Sequence, residues 1–233
     1  MPKHLSLRYL PLTWSGLAFV TLVFAFLGSI VRGDPRPLLE KWGVSIDVFA
    51  MTMHEVGLLL GMFITLHQLS TKGVKMMDLG IKRVFKTVWI IYALVGFATA
   101  MLLYPVIETI MEMIGIKMLW WNEEGLTYSS LTDWCLVTIS ATIIAPIVEE
   151  LFFRGYLLTA FLEKIRNTPL AVCMSSLVFT SIHVFIGPGM MIYIFLWSLI
   201  PSYLYLRTGS LYSSILMHAL NNAFAYIILP MFL

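Results

Sequence analysis

Charge is scarce in this chain. Of 233 residues, 12% are Asp, Glu, Lys or Arg, while 59% are hydrophobic; soluble domains run near a quarter charged. A water-soluble domain of this length would have too little polar side chain to cover its surface. That excludes a cytosolic globular protein and a disordered one. Cysteine is scarce too. Cys135 and Cys173 form no disulfide framework and no CxxC metal pair. The net charge of +2 is too small to imply a nucleic-acid partner. There is no HExxH motif, no serine in a nucleophile elbow and no internal repeat. Long apolar runs remain, and they imply a chain whose solvent is mostly lipid.

A lipid-spanning helix needs about 17–25 predominantly apolar residues. Seven segments qualify, at about 13–31, 48–69, 87–107, 130–163, 169–186, 190–206 and 210–230. None alternates in the manner of a membrane barrel, so all read as helices. The expected fold is an all-α polytopic bundle of seven or eight spans, forming a single integral membrane domain over 1–233. The fourth segment, about 34 residues, is long for one straight span and implies tilt or a kink at Pro146. Gly187-Pro188-Gly189 and Arg207-Thr208-Gly209 read as turns. The stretch Glu108–Ser129 reads as a more polar connection, with Trp120 and Trp121 at headgroup level. The first segment reads as a retained signal anchor, because its apolar core is long and no A-x-A-like site follows it.

Orientation follows the basic residues. Lys72, Lys75, Lys82, Arg83 and Lys86 follow the second segment, whereas Lys117 stands against Glu108, Glu112, Glu123, Glu124 and Asp133 after the third. The positive-inside rule places the first of these loops, and the N-terminus with Lys3 and Arg8, in the cytoplasm.

Ionisable groups inside a bilayer are costly, and each is a functional hypothesis. Three clusters stand out: Glu149-Glu150-Leu151-Phe152-Phe153-Arg154, then Phe179-Thr180-Ser181-Ile182-His183, then His218-Ala219-Leu220-Asn221-Asn222. On a helix Glu150 and Arg154 share a face at i,i+4 and pair, which leaves Glu149 about 100° away without a local counter-charge. His218 and Asn222 share a face in the same way. Phe179 shares one with His183, although an aromatic on a membrane helix is usually packing. At 1.5 Å per residue, Glu150, His183 and His218 lie about 20, 21 and 12 Å from the cytoplasmic ends of their segments, so the three clusters can meet. Asn221, His54, Glu55 and His67 read as structural. The two cysteines lie near opposite membrane sides, against a disulfide.

A carboxylate, two histidines and an amide suggest hydrolysis. In a metal-free route, Glu149 with His183 orients and deprotonates a water, while His218 and Asn222 donate to the oxyanion. In the other, Glu149, His183 and His218 hold Zn²⁺ with an open position.

The motifs Glu149-Glu150-x-x-x-Arg154, Phe179-x-x-x-His183 and His218-x-x-x-Asn222, in this order over about 140–225, resemble those of the CAAX-protease and bacteriocin-processing (CPBP, or Abi) intramembrane proteases, which include the Rce1-type prenyl-protein endopeptidases. The resemblance implies a helical bundle with a cavity open to the cytoplasm. It implies peptide-bond hydrolysis near the membrane surface, with Glu149 and His183 activating water and His218 and Asn222 at the oxyanion. Glu150 counts among the catalytic candidates, and Arg154 and Phe179 support them. Few thiolates and the amide of Asn222 favour the metal-free route. The expected setting is a cell membrane, and the expected partners are lipid and a membrane-associated substrate, either a prenylated protein or a leader peptide, with no nucleic acid. The rival readings are a proton-coupled transporter, since Glu and His also build proton relays, and a non-proteolytic immunity or scaffold protein of the same fold.

Overall fold

The computed structural model describes residues 36–119, 128, 130–183 and 186–232, and among these the chain is helical throughout, with no strand. After a short helix α1 (Arg36–Lys41) come α2 (Ile46–Thr71), α3 (Val88–Met113), α4 (Leu131–Ile165), α5 (Thr168–Ser181), α6 (Pro188–Thr208) and α7 (Tyr212–Met231). Five of these, α2, α3, α4, α6 and α7, are long and apolar enough to cross a membrane. Their outward faces suit lipid as solvent. Ile91, Val95 and Leu102 on α3 and Phe63 on α2 are all exposed, a pattern that water would penalise. The protein is a multi-pass helical membrane protein.

Two expectations need correcting. The segment 169–186 is not a full span: α5 has 14 residues, about 21 Å of helix, and ends at Ser181, so His183 sits in the turn beyond it. The reason is the approaching reversal, where Gly187 adopts φ 144° and Pro188 opens α6. The third span runs on to Met113, so Glu108 and Glu112 belong to a helix, and the Tyr104 hydroxyl donates to Glu108 Oε1 at 3.2 Å. The expected first span (13–31), the N-terminal Lys3 and Arg8, and the interfacial Trp120 and Trp121 lie outside the described residues.

Local chemistry accounts for the helix ends. Asn167 caps α5, its Oδ1 accepting from Leu170 N at 3.0 Å with Pro169 in the first turn. Ser130 caps α4 through Asp133 N at 3.1 Å, and Asp133 Oδ1 in turn accepts from Ser45 N at 2.9 Å, beside the Ser45 cap of α2. Gly209, at φ 62°, closes α6 with its N–H on Tyr205 O at 2.8 Å.

At 35 residues α4 extends about 52 Å, well beyond a hydrocarbon core of about 30 Å. Pro146 does not interrupt it. A π-helical stretch, Thr138–Ile144, precedes the proline, and a second, Leu151–Leu158, begins directly after Glu150. The wider turn relieves the hydrogen bonding that proline cannot provide, and such π insertions recur at functional sites.

The described residues fall into two compact units. The first comprises 74–119 and 150–221. In it α6 packs against α3 and α5, and the end of α4 packs against α5. Gly155 permits a close approach there: a Cβ on it would stand 2.7 Å from the Leu79 carbonyl oxygen and 3.1 Å from Leu211. The second unit comprises 36–73, Tyr128, 130–149 and 222–232. Val48, Val137 and Ala141 form its core, joined by Met51, Tyr128, Leu136, Tyr226 and Ile227. The Tyr128 hydroxyl donates to the Tyr226 carbonyl at 2.6 Å. Burial, and next the Asp133 charge, push the Tyr128 phenol up to about 12.

Candidate active site

In the first unit, Glu150 opens the second π stretch and Arg154 lies within it. Both side chains are withdrawn from solvent, at 0% exposure. Arg154 Nη1 donates to Glu150 Oε1 at 3.0 Å, as the i,i+4 spacing requires. Nη2 donates to both the carbonyl and the hydroxyl of Ser198 at 2.9 Å, and Nε to Ser202 Oγ at 3.4 Å. The guanidinium also lies over the Phe179 ring, 4.7 Å from its centroid. A buried ion pair depends on such hydrogen bonds from the protein, and here they reach only Oε1 of the carboxylate: Glu150 Oε2 is buried without a hydrogen-bond partner.

His218, buried on α7, reaches the same carboxylate, its Nδ1 2.9 Å from Glu150 Oε1. Trp197 meets its ring edge-on at 4.7 Å and donates from Nε1 to Asn221 Oδ1 at 3.2 Å. Phe179 stands in the middle of this group. Its ring is stacked on Trp197 at 5.7 Å, 4.9 Å from His183 and 6.2 Å from His218. The structure therefore brings Glu150, Arg154, Phe179, His183 and His218 together.

The turn after α5 sets the orientation of His183. Its Nδ1 lies 3.0 Å from the carbonyl of Phe179, one of the last carbonyls that the ending helix leaves without an intrahelical partner. A carbonyl only accepts, so Nδ1 carries the hydrogen. In the neutral ring Nε2 then presents a lone pair.

In the second unit Glu149 is buried at 5% exposure. Asn222 donates from Nδ2 to the Ala141 carbonyl at 2.8 Å, which fixes the amide and leaves its second N–H available. Glu55, also buried, pairs with His54 Nδ1 at 3.2 Å. Tyr226 lies within electrostatic reach of Glu55 and Glu149.

Residues 131–224 match the family model described as type II CAAX prenyl endopeptidase Rce1-like. This segment, less than half of the chain, is similar to the Rce1-like family. No curated protein and no solved structure matches the chain. The match begins at the first turn of α4 and ends two residues after Asn222, so the matched segment takes in all three motifs.

Within the matched segment, three contributors escaped the motif reading: Trp197, Ser198 and Ser202. They sit on α6, which carries no acidic or basic side chain between Pro188 and Leu206. The available signal was the Ser198-x-x-x-Ser202 spacing, two small hydroxyl residues on one face of an apolar helix. Asn221 accepts from Trp197 Nε1 at 3.2 Å. His67 is exposed on α2. Both cysteines are free thiols. Among the described residues, no group of three or more His, Cys, Asp or Glu side chains is arranged to hold a metal ion.

Proposed function

We propose that this protein is an intramembrane endopeptidase of the cell membrane, hydrolysing a peptide bond in a membrane-associated substrate. Glu149 and His183 are the water-activating pair. His183 contributes the Nε2 lone pair left by its bond to Phe179, and Glu149 takes the first proton as the water oxygen attacks the carbonyl carbon. The free N–H of Asn222 donates to the oxyanion that develops. That proton then passes to the amide nitrogen as the C–N bond breaks. The observation that carries the reading is the tautomer of His183, set by a backbone carbonyl inside a domain that matches an endopeptidase family. The motifs contain no cysteine and no serine in a nucleophile elbow, which agrees with water as the attacking group.

The test is cleavage of a quenched membrane-peptide library by the purified protein in liposomes. Glu149→Gln and His183→Ala are expected to abolish cleavage while expression and thermal stability are kept, and chelation is expected to leave the wild-type rate unchanged. Full activity of Glu149→Gln would overturn the water-activating role. Activity lost to a chelator and restored by Zn²⁺ would overturn the metal-free route. No cleavage, together with proton-driven flux across the liposome, would favour a transporter.

A further inference from the structure

We propose that one end of the first unit is a binding surface for anionic phospholipid headgroups, with Val84 and Phe85 seated at the boundary with the acyl chains. Three pieces of chain meet at that end. Arg154 reaches Ser198 and Ser202, and Thr159 Oγ1 lies 3.0 Å from Tyr205 Oη. The last part of α4 therefore runs parallel to α6, and the two helices finish at the same end. Leu211 N donates to the Gly80 carbonyl at 3.0 Å, and the Tyr212 hydroxyl to the Lys82 carbonyl at 3.0 Å. These bonds fasten the segment 74–87 to the turn between α6 and α7.

This end is basic. The segment 74–87 carries Lys75, Lys82, Arg83 and Lys86 against Asp78. The close of α4 adds Lys164 and Arg166 beside Glu163, and the close of α6 adds Arg207. Every one of these cations is exposed, and among the described residues none is in an ion pair. Asp78 does not neutralise them, because its Oδ2 accepts from the backbone N–H of Lys75 at 2.8 Å. Over the whole chain the charges nearly cancel, at +2, so the excess is local. At the other end of the unit, Glu108 and Glu112 face the balance the opposite way, against Lys117. Arg166 takes φ 55°, whereas α6 closes on Gly209 at φ 62°. Glycine accepts that left-handed backbone without strain, so a cation kept there points to a charge used outside the helix.

Apolar side chains emerge among the cations. Val84 is 69% and Phe85 50% exposed. The Phe85 ring meets Trp89 edge-on at 5.6 Å and Tyr212 at 5.5 Å, and Trp89 stacks on Tyr212 at 5.5 Å. Aromatic groups of this kind settle at the membrane–water interface. A soluble polyanion would engage the cations and leave Val84 and Phe85 in water. A layer of lipid phosphates above acyl chains engages both, with lysine and arginine stems reaching up to the phosphates. The positive-inside rule puts this end in the cytoplasm, on the leaflet that carries anionic lipid.

The experiment is electron paramagnetic resonance of full-length protein in phosphatidylcholine vesicles, with spin-labelled phosphatidylglycerol or phosphatidylcholine as the probe. Lipid association is read without cleavage, so its outcome is separate from that of the endopeptidase reading. Wild type is expected to hold the phosphatidylglycerol probe at least about fivefold more strongly, the order of effect of one basic residue at an anionic surface. The triple variant Lys82→Gln, Arg83→Gln, Lys86→Gln is expected to bring the preference to about twofold or less, and Lys117→Gln, at the other end, to leave it unchanged. Should the triple variant fail to fold, wild type in 1 M NaCl decides, since a Debye length of about 3 Å at that salt is expected to erase the preference. Equal association of the two probes with wild type would overturn the proposal, as would a preference that survives the triple variant or 1 M salt. Heparin binding without a phosphatidylglycerol preference would assign the cations to a soluble polyanion and overturn it too.

Discussion

Arg154→Ala is the most informative perturbation of the buried pair. In the wild type, the guanidinium donates to Glu150, Ser198 and Ser202, and both members of the pair have 0% exposure. Truncation leaves the Glu150 carboxylate enclosed with His218 as its one remaining hydrogen-bond donor among those seen in the structure. Breaking a buried pair from one side costs about 3–5 kcal/mol. At about 1.4 kcal/mol per factor of ten, that is roughly two to nearly four powers of ten in the folded-to-unfolded ratio. The companion variant removes both charges, as Glu150→Gln with Arg154→Met. It is expected to regain most of the loss, because the expense of the single variant lies in the orphaned charge rather than in the missing bonds. The assay is reversible unfolding in mixed micelles of rising SDS fraction, followed by tryptophan fluorescence, with the coupling energy taken from the double-mutant cycle. A single-variant cost under about 1 kcal/mol, with no recovery in the double variant, would refute the reasoning, since that is how a hydrated, exposed pair behaves.

Further outcomes follow from the same geometry. His183→Gln removes the ring nitrogen that accepts from water, and is expected to lower kcat by about 10²–10⁴ with stability nearly unchanged; a Tm measurement beside the rate separates the two effects. Gly155→Ala places a Cβ against the Leu79 carbonyl, an obstacle of backbone that cannot swing aside. It is expected to destabilise by about 1–3 kcal/mol, read as a fall in Tm. The raised phenol of Tyr128 favours the protonated form in the fold. Its contribution is therefore complete below the ordinary tyrosine value near 10 and is lost as pH rises through about 12. Stability measured across that window is expected to fall, and the fall to shrink in Tyr128→Phe; an identical pH profile in the variant would refute the assignment.

Much of the helical architecture was legible because lipid as solvent imposes a simple rule. A run such as that of α3 has no polar alternation to suit another structure, and its backbone must satisfy itself. The Glu150–Arg154 pairing was legible for a similar reason, since i,i+4 spacing brings two side chains together in α and π geometry alike. The end of α5 was harder to see. Residues 182–186 are apolar enough to continue a helix, but the chain must reverse before Pro188, so His183 leaves the helix and binds a terminal carbonyl instead. The roles of Ser198 and Ser202 were invisible for another reason. Serine is common at membrane helix interfaces, and nothing in α6 announces that an arginine from α4 will arrive there.

The sequence by itself determined that the protein lives in lipid, that it is helical, and which few polar groups it carries at a cost inside its spans. Those follow from local composition and periodicity, which act within one segment. Only the tertiary structure decided what those groups do to one another. Glu150 meets Arg154 and His218 through a single oxygen, and the orientation of each histidine is set by a neighbour: a carboxyl group from another helix for His218, a helix-end carbonyl for His183. A histidine's chemistry depends on which nitrogen holds the proton, and that choice belongs to the neighbour that the fold supplies.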